Sequence, residues 1–119
     1  MVTIEDKPWL LRKLRRLGRY PLQYLGRESV FAVELYLAAY GEARHDLGLP
    51  EYGPEEVELL QGFVRFLEER TGLTDTRGWW GFIERIDPSD RNAHTFFRLF
   101  DEYVRTERGI AQGILSKRT

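Results

Sequence analysis

The chain contains no cysteine, only two histidines, and no apolar run longer than a few residues. Without cysteine there can be no disulfide, no thiolate nucleophile and no cysteine-based metal site. A reducing compartment suits such a chain, so a cytoplasmic location is expected. Spanning a bilayer takes ~20 consecutive apolar residues, and nothing here approaches that, so no membrane partner is expected. Residues 1–8 are polar and acidic and lack the charged-then-apolar layout of a secretory signal. Strand-like alternation, internal repeats and low-complexity tracts are missing too.

What the chain does have is length for a core and a charge asymmetry. At 119 residues it is long enough for one domain. Apolar residues make up 42% and charged residues 31%, a globular rather than a disordered balance. The net charge of −1 hides a split. Residues 1–27 hold Lys7, Arg12, Lys13, Arg15, Arg16, Arg19 and Arg27 against Glu5 and Asp6, a balance of +5 that leaves −6 for the remainder. One end can approach phosphate; the rest repels it.

The apolar periodicity predicts an all-α fold, a compact single-domain bundle of about five helices over residues 1–108, with 109–119 as a frayed C-terminal tail. Asp6 as N-cap and Pro8 in the first turn open a short helix, Leu10, Leu14 and Leu17 form its apolar stripe, and Gly18 closes it. The second helix is expected from about Glu28 to Leu47. It is apolar nearly all round, which marks a central helix, and Ala38 and Ala39 offer room for close approach. Pro54, Glu55 and Glu56 start a third helix of ~25 Å to Arg70, ended by Gly72. Trp79 to Ile86 forms a short fourth element, and Phe96 to Val104 lies in a fifth helix reaching about Arg108. Adjacent helical residues point ~100° apart, so one member each of Trp79-Trp80 and Phe96-Phe97 is expected to pack inward and the other to lie at a boundary or on the surface.

Between the first two helices, the stretch from Tyr20 to Gly26 reads as a rigid corner. Pro21 fixes its own φ and extends the residue before it, while Gly26 makes a positive φ inexpensive. Tyr24 and Leu25 are expected to plug the crevice between the helices.

No stretch carries a catalytic signature, so neither a catalytic residue nor a metal or cofactor site is expected. Glu42 and His45 have the Glu-x-x-His spacing of di-iron bundles, but that architecture needs a second such pair, and His94 has none. As a hydrolase base, His94 would look to Asp90 or Asp101, yet no serine or cysteine nucleophile motif accompanies it. Gly18 and Gly26 are too far apart for a phosphate loop and follow no strand. The basic first helix remains as a candidate nucleic-acid surface. Arg12, Lys13, Arg15 and Arg16 can neutralise phosphates, and Trp9 and Tyr20 can stack on bases. The plainer expectation is that these cations pair with the acid-rich third helix.

Residues 19–40 resemble the opening of a small all-α bacterial family encoded in polymorphic-toxin loci and taken to be immunity proteins. Pro21, Tyr24, Leu25, Gly26, Ser29 and Tyr40 fall where that family's pattern places them. Trp79-Trp80 and the run Phe96 to Tyr103 resemble its later blocks, so the likeness touches most of residues 19–104. Tyr20, Leu22, Gln23 and Ala39 depart from the pattern. The resemblance implies a non-enzymatic protein that neutralises a cognate toxin by direct binding. Against a basic nuclease toxin an acidic patch would steer association, and Glu51, Glu55, Glu56, Glu58, Glu68, Glu69 and Asp75 are the expected contact residues. Nucleic-acid binding through the first helix is the alternative.

Overall fold

A computed structural model describes residues 8–75 and 77–115. It is an all-α single-domain bundle, and among the described residues it has six helices: α1 (Trp9–Arg19), α2 (Pro21–Leu25), α3 (Val30–Asp46), α4 (Pro54–Thr71), α5 (Trp79–Ile86) and α6 (Ala93–Thr106). The sixth helix is the expected corner itself. Pro21 opens α2 at a position where its missing N–H costs nothing, and Gly26 ends it with φ +74° while its N–H donates to Leu22 O at 2.9 Å.

The core is aromatic and lies between α4 and α6. Phe63 meets Phe100 at 4.8 Å, Tyr103 at 5.6 Å and Phe96 at 5.7 Å between ring centroids, and Trp79 of α5 closes on Phe96 at 4.9 Å. Tilted and edge-on pairs of this kind add ~0.5–1.5 kcal/mol each beyond the area they bury. Gly62 makes the helix approach possible. A Cβ there would collide with the Tyr103 hydroxyl, which donates to Leu59 O at 3.1 Å. Leu10, Leu14 and Leu17 of α1 are fully buried, as expected from their spacing.

Two buried polar side chains join the helix ends. Glu56 lies at the third position of α4, and its Oε1 accepts from Gly53 N at 2.8 Å, capping its own helix. Its Oε2 reaches across to accept from Trp9 N at 2.9 Å, the first N–H of α1. One carboxylate therefore serves two helix N-termini, where orphan donors and the positive end of the macrodipole both favour an anion. Asn92 does similar work at the other end. Its Oδ1 accepts from Val30 N at 2.7 Å, and its Nδ2 donates to Asp87 O at 2.9 Å, tying the start of α3 to the start of α6.

Several expectations change. α1 begins at Trp9 with Pro8 at the cap, and Asp6 lies outside the described residues. Tyr24 is exposed rather than plugging the corner, whereas Leu25 does pack on the core. α3 touches α1, α2, α5 and α6, as a central helix should, yet one side of it is bare: Phe31, Leu35, Ala38 and Ala39 are exposed. Close approach to α3 occurs instead at Gly41, beside Glu51 and Tyr52. Phe96 and Phe97 are both buried, because the segment after α6 folds back over Phe97 beside Gly18. Residues 109–115 are thus not a frayed tail. Ile114 is buried, Ile110 and Leu115 pack against the core, and residues 116–119 lie outside the described part. Of the tryptophan pair, Trp79 is buried and Trp80 half-buried, as the 100° argument requires.

Glu56→Ala should cost about 2–4 kcal/mol in urea unfolding, since a buried and a partly buried N–H group lose a charged acceptor at once. A loss below half a kcal/mol would show that water serves the two termini equally well. Gly26→Val should cost about 1–2 kcal/mol, a purely backbone penalty for a β-branched residue at positive φ, because a Cβ there meets nothing within 4 Å. An unchanged urea midpoint would mean that α2 can end without the left-handed residue.

Candidate functional site

The seven acidic residues expected to form one contact patch are dispersed. Glu55 and Glu58 are exposed on α4, and Glu58 is held by Arg108 at 2.6 Å. That hydrogen bond keeps the Glu58 carboxyl below its ordinary range. Arg65 falls between Glu58 and Glu69 on the same helix side, so the stripe alternates in sign. Glu68 lies about a quarter-turn round from Glu69, and Glu51 sits in the loop before α4, with its Cβ close to Gly41. Asp75 accepts from Arg77 N at 2.8 Å and from the Arg77 guanidinium at 3.0 Å, bonds that hold its pKa down. Glu56 is withdrawn altogether, because it is buried as the double helix cap. Sequence spacing places acids along a helix without showing which of them the rest of the chain consumes.

The histidine readings resolve into local structure. His94 Nε2 lies 2.6 Å from Glu28 Oε2, and Arg91 Nε 3.0 Å from Glu28 Oε1, so its carboxylate partner is neither Asp90 nor Asp101. The His94 hydrogen bond lowers the Glu28 pKa. Asp101 instead accepts from Ile114 N at 2.8 Å and Leu115 N at 2.9 Å, with Arg105 Nε at 3.0 Å. Arg105 in turn donates to the carbonyls of Ala111, Gln112 and Leu115. This pair clamps the returning segment onto α6. His45 occupies the last turn of α3, where cations suit the helix dipole. Among the described residues no group of three or more acidic or histidine side chains is placed to hold a metal ion.

The basic face of α1 is organised differently from either expectation. None of Arg12, Lys13, Arg15 and Arg16 pairs with a carboxylate among the described residues. Arg15 Nε donates to Gly113 O at 3.0 Å, helping to hold the returning segment. Arg12 Nη2 donates to Tyr40 Oη at 3.3 Å, and Lys13 Nζ lies 4.3 Å from the centre of the Tyr40 ring. Trp9 is buried beneath Tyr40, at 4.8 Å, and Tyr52, at 5.5 Å, so it cannot stack on a base. Burial pushes the Tyr40 phenol up, but the Arg44 hydrogen bond and the Lys13 and Arg12 charges bring it below its ordinary value. Burial also lowers the Lys13 ammonium, with Arg16 and Arg12 adding to that and Tyr40 opposing it. On the other flank, burial raises the half-buried Glu34, and burial with the Glu34 and Glu51 charges pushes Tyr52 up to about 12.

Among the described residues, five of the eight large apolar side chains that are exposed lie between Tyr20 and Leu35, and Leu47, Leu49 and Val57 lie beyond them. Tyr20, Leu22 and Tyr24 project from α2 and the residue before it, and Phe31 (43% exposed) and Leu35 (55%) from the first turns of α3. Phe31 leans on the half-buried Trp80 at 5.2 Å between centroids. The corner expected to be scaffold therefore also displays apolar surface. A shallow polar pocket of about 210 Å³ lies elsewhere, between Arg65, Glu69, Tyr103 and Arg108. Compared with known protein families, curated proteins and solved structures, the chain matches none.

The Asp101 clamp carries a pH signature. Burial opposes ionisation, but the two backbone N–H groups and Arg105 outweigh it and depress the Asp101 pKa. A depressed carboxyl contributes stability that is complete above its unfolded value, about 3.9, and lost as pH falls through the lower folded value. Asp101→Ala should therefore expose residues 109–115 to limited proteolysis at pH 7, and the wild type should show the same cleavage only at more acid pH. Equal protection of wild type and variant at neutral pH would place the clamp elsewhere.

Proposed function

We propose that this chain is a non-catalytic binding protein that neutralises a cognate bacterial protein toxin by direct contact. The observation that carries this reading is the concentration of exposed apolar side chains, Tyr20, Leu22, Tyr24, Phe31 and Leu35, from the residue before α2 to the first turns of α3. Isolated exposed apolar residues are ordinary, but several large ones on consecutive elements suit a partner surface. Tyrosine supplies such anchors because it covers much area at low entropic cost. The resemblance of residues 19–40 to immunity proteins falls on this same segment. In this reading the contact surface is apolar at its centre, and Glu55, Glu58 and Glu69 act at a distance by steering a basic toxin.

A second reading, binding of nucleic acid at α1, is favoured by the cations of that helix that no carboxylate neutralises among the described residues. Of the two aromatic residues expected to stack on bases, Trp9 is buried, while Tyr20 is exposed at the end of α1.

The test is capture of the toxin encoded by the neighbouring gene, together with rescue of cells expressing it. Phe31→Glu and Leu35→Glu lie on exposed positions, so both variants should keep the wild-type unfolding midpoint. Each should weaken toxin binding by about 30-fold or more, the size of an interface hot spot. Glu55→Lys with Glu58→Lys should lower the on-rate at low salt and leave dissociation nearly unchanged. Undiminished binding by both apolar variants would overturn the assigned surface, and failure of the wild type to bind or rescue would overturn the function.

A further inference from the structure

The α1 cations do not spread over a helix surface; they converge. Arg12, Lys13 and Arg16 occupy positions i, i+1 and i+4, neighbours on one side of the helix. A fourth cation joins from α3, where Arg44 lies one turn beyond Tyr40. Its guanidinium carbon stands 5.5 Å from the Trp9 ring centre, and its Nε is held by Pro50 O at 2.8 Å. Trp9, Tyr40 and Tyr52 pack against one another as a firm aromatic floor. Arg12, Lys13 and Arg44 thus gather at one phenol, with Arg16 one turn along α1 from Arg12, and among the described residues no carboxylate comes within ion-pairing distance of any of the four. Such a cluster is short of counter-charge among the described residues.

The hydroxyl of Tyr40 indicates what that counter-charge is. Its oxygen accepts from Arg12 at 3.3 Å, which leaves its own hydrogen to be donated elsewhere. No acceptor for it is found among the described residues. We propose that Arg12, Lys13, Arg16, Arg44 and the Tyr40 hydroxyl form a binding site for a phosphate group. Guanidinium forks match the oxygens of a tetrahedral phosphate, and Lys13 adds a point charge. The Tyr40 hydroxyl donates the one hydrogen bond that tells an oxyanion from mere negative potential. Arg15, expected from its position to share this role, is turned away to Gly113 O.

This site uses the cations of the second reading above without requiring nucleic acid. The phosphate can come from a free, multiply charged phosphate compound or from a nucleic-acid backbone. The Tyr40 ring is covered by Lys13 and Trp9, so the site offers no open aromatic face to a base. Its ligand is read by phosphate chemistry alone. The site is also separate from the proposed toxin surface, because Tyr40 lies roughly 140° round α3 from Leu35.

Isothermal titration of the full chain with inorganic pyrophosphate, and separately with a single-stranded oligothymidylate, tests this. Sulfate at equal ionic strength controls for screening. Pyrophosphate should bind at millimolar concentration or below and raise the unfolding temperature. Arg12→Gln and Arg44→Gln should each weaken it by about tenfold, the loss of one charge-assisted contact. Arg16 is exposed and makes no hydrogen bond among the described residues, so Arg16→Gln should fold normally and still weaken binding severalfold. Tyr40→Phe should weaken it by about threefold. Arg65→Gln on α4 removes the same charge elsewhere and should change nothing. Absence of binding by both ligands, or equal weakening by Arg65→Gln, overturns the proposal. Binding of the oligonucleotide, weakened by the same variants, supports the site and assigns the phosphate to a nucleic-acid backbone. Binding of pyrophosphate alone supports the site and removes the nucleic-acid reading.

Discussion

The Glu56 carboxylate is the interaction on which the rest of the arrangement depends. A helix begins with four N–H groups that its own backbone cannot satisfy, and two helices of this bundle begin close together. One buried anion accepts from both, at 2.8 Å from Gly53 N and 2.9 Å from Trp9 N. That shared acceptor sets where α1 starts relative to α4. The start of α1 in turn places Trp9 under Tyr40, and the Trp9–Tyr40 contact holds the side of α3 on which Arg12, Lys13 and Arg44 converge. A residue read as surface charge is therefore a structural keystone for the cationic cluster.

Burial of polar groups recurs as the joining device at every end of the bundle. Asn92 ties the N-termini of α3 and α6, and Asp101 with Arg105 secures residues 109–115 against α6. Each is withdrawn from water at least in part and is hydrogen-bonded, which is what makes its burial tolerable. The apolar core supplies the bulk of the driving force, but it is non-directional and does not by itself position helix ends. The directional polar contacts do. They also explain why α3 can leave Phe31 and Leu35 uncovered: its place is held from its N-terminus and from its opposite side.

The two surfaces of functional interest differ in how they were formed. The apolar side chains displayed by α2 and α3 are ones that the bundle leaves uncovered, while the charges of the cluster at Tyr40 meet no carboxylate among the described residues. An all-α bundle of this size can present both because α3 has one side facing α1 and another facing outward.

Much of the fold was legible from local chemistry. The leucine spacing of α1, Pro54 and Gly72 bounding α4, and Gly26 at the corner all follow from rules acting within a few residues, and each appears where those rules place it. The corner's helical form lay within reach too, since Pro21 at a first position and Gly26 at a left-handed end bound one short turn. What the sequence could not show is which polar side chain is spent on a distant backbone. Glu56 is 47 residues from Trp9, Asp101 is 13 from Ile114, and Arg15 is 98 from Gly113. Those pairings depend on how helices dock, and docking is decided by packing summed over the whole core. Sequence by itself determined the helices and the segregation of positive charge into the first of them. Tertiary structure alone decided which charges are buried as caps, which are paired, and which stand together with no carboxylate partner among the described residues, because electrostatic partners are set by distance in space rather than along the chain.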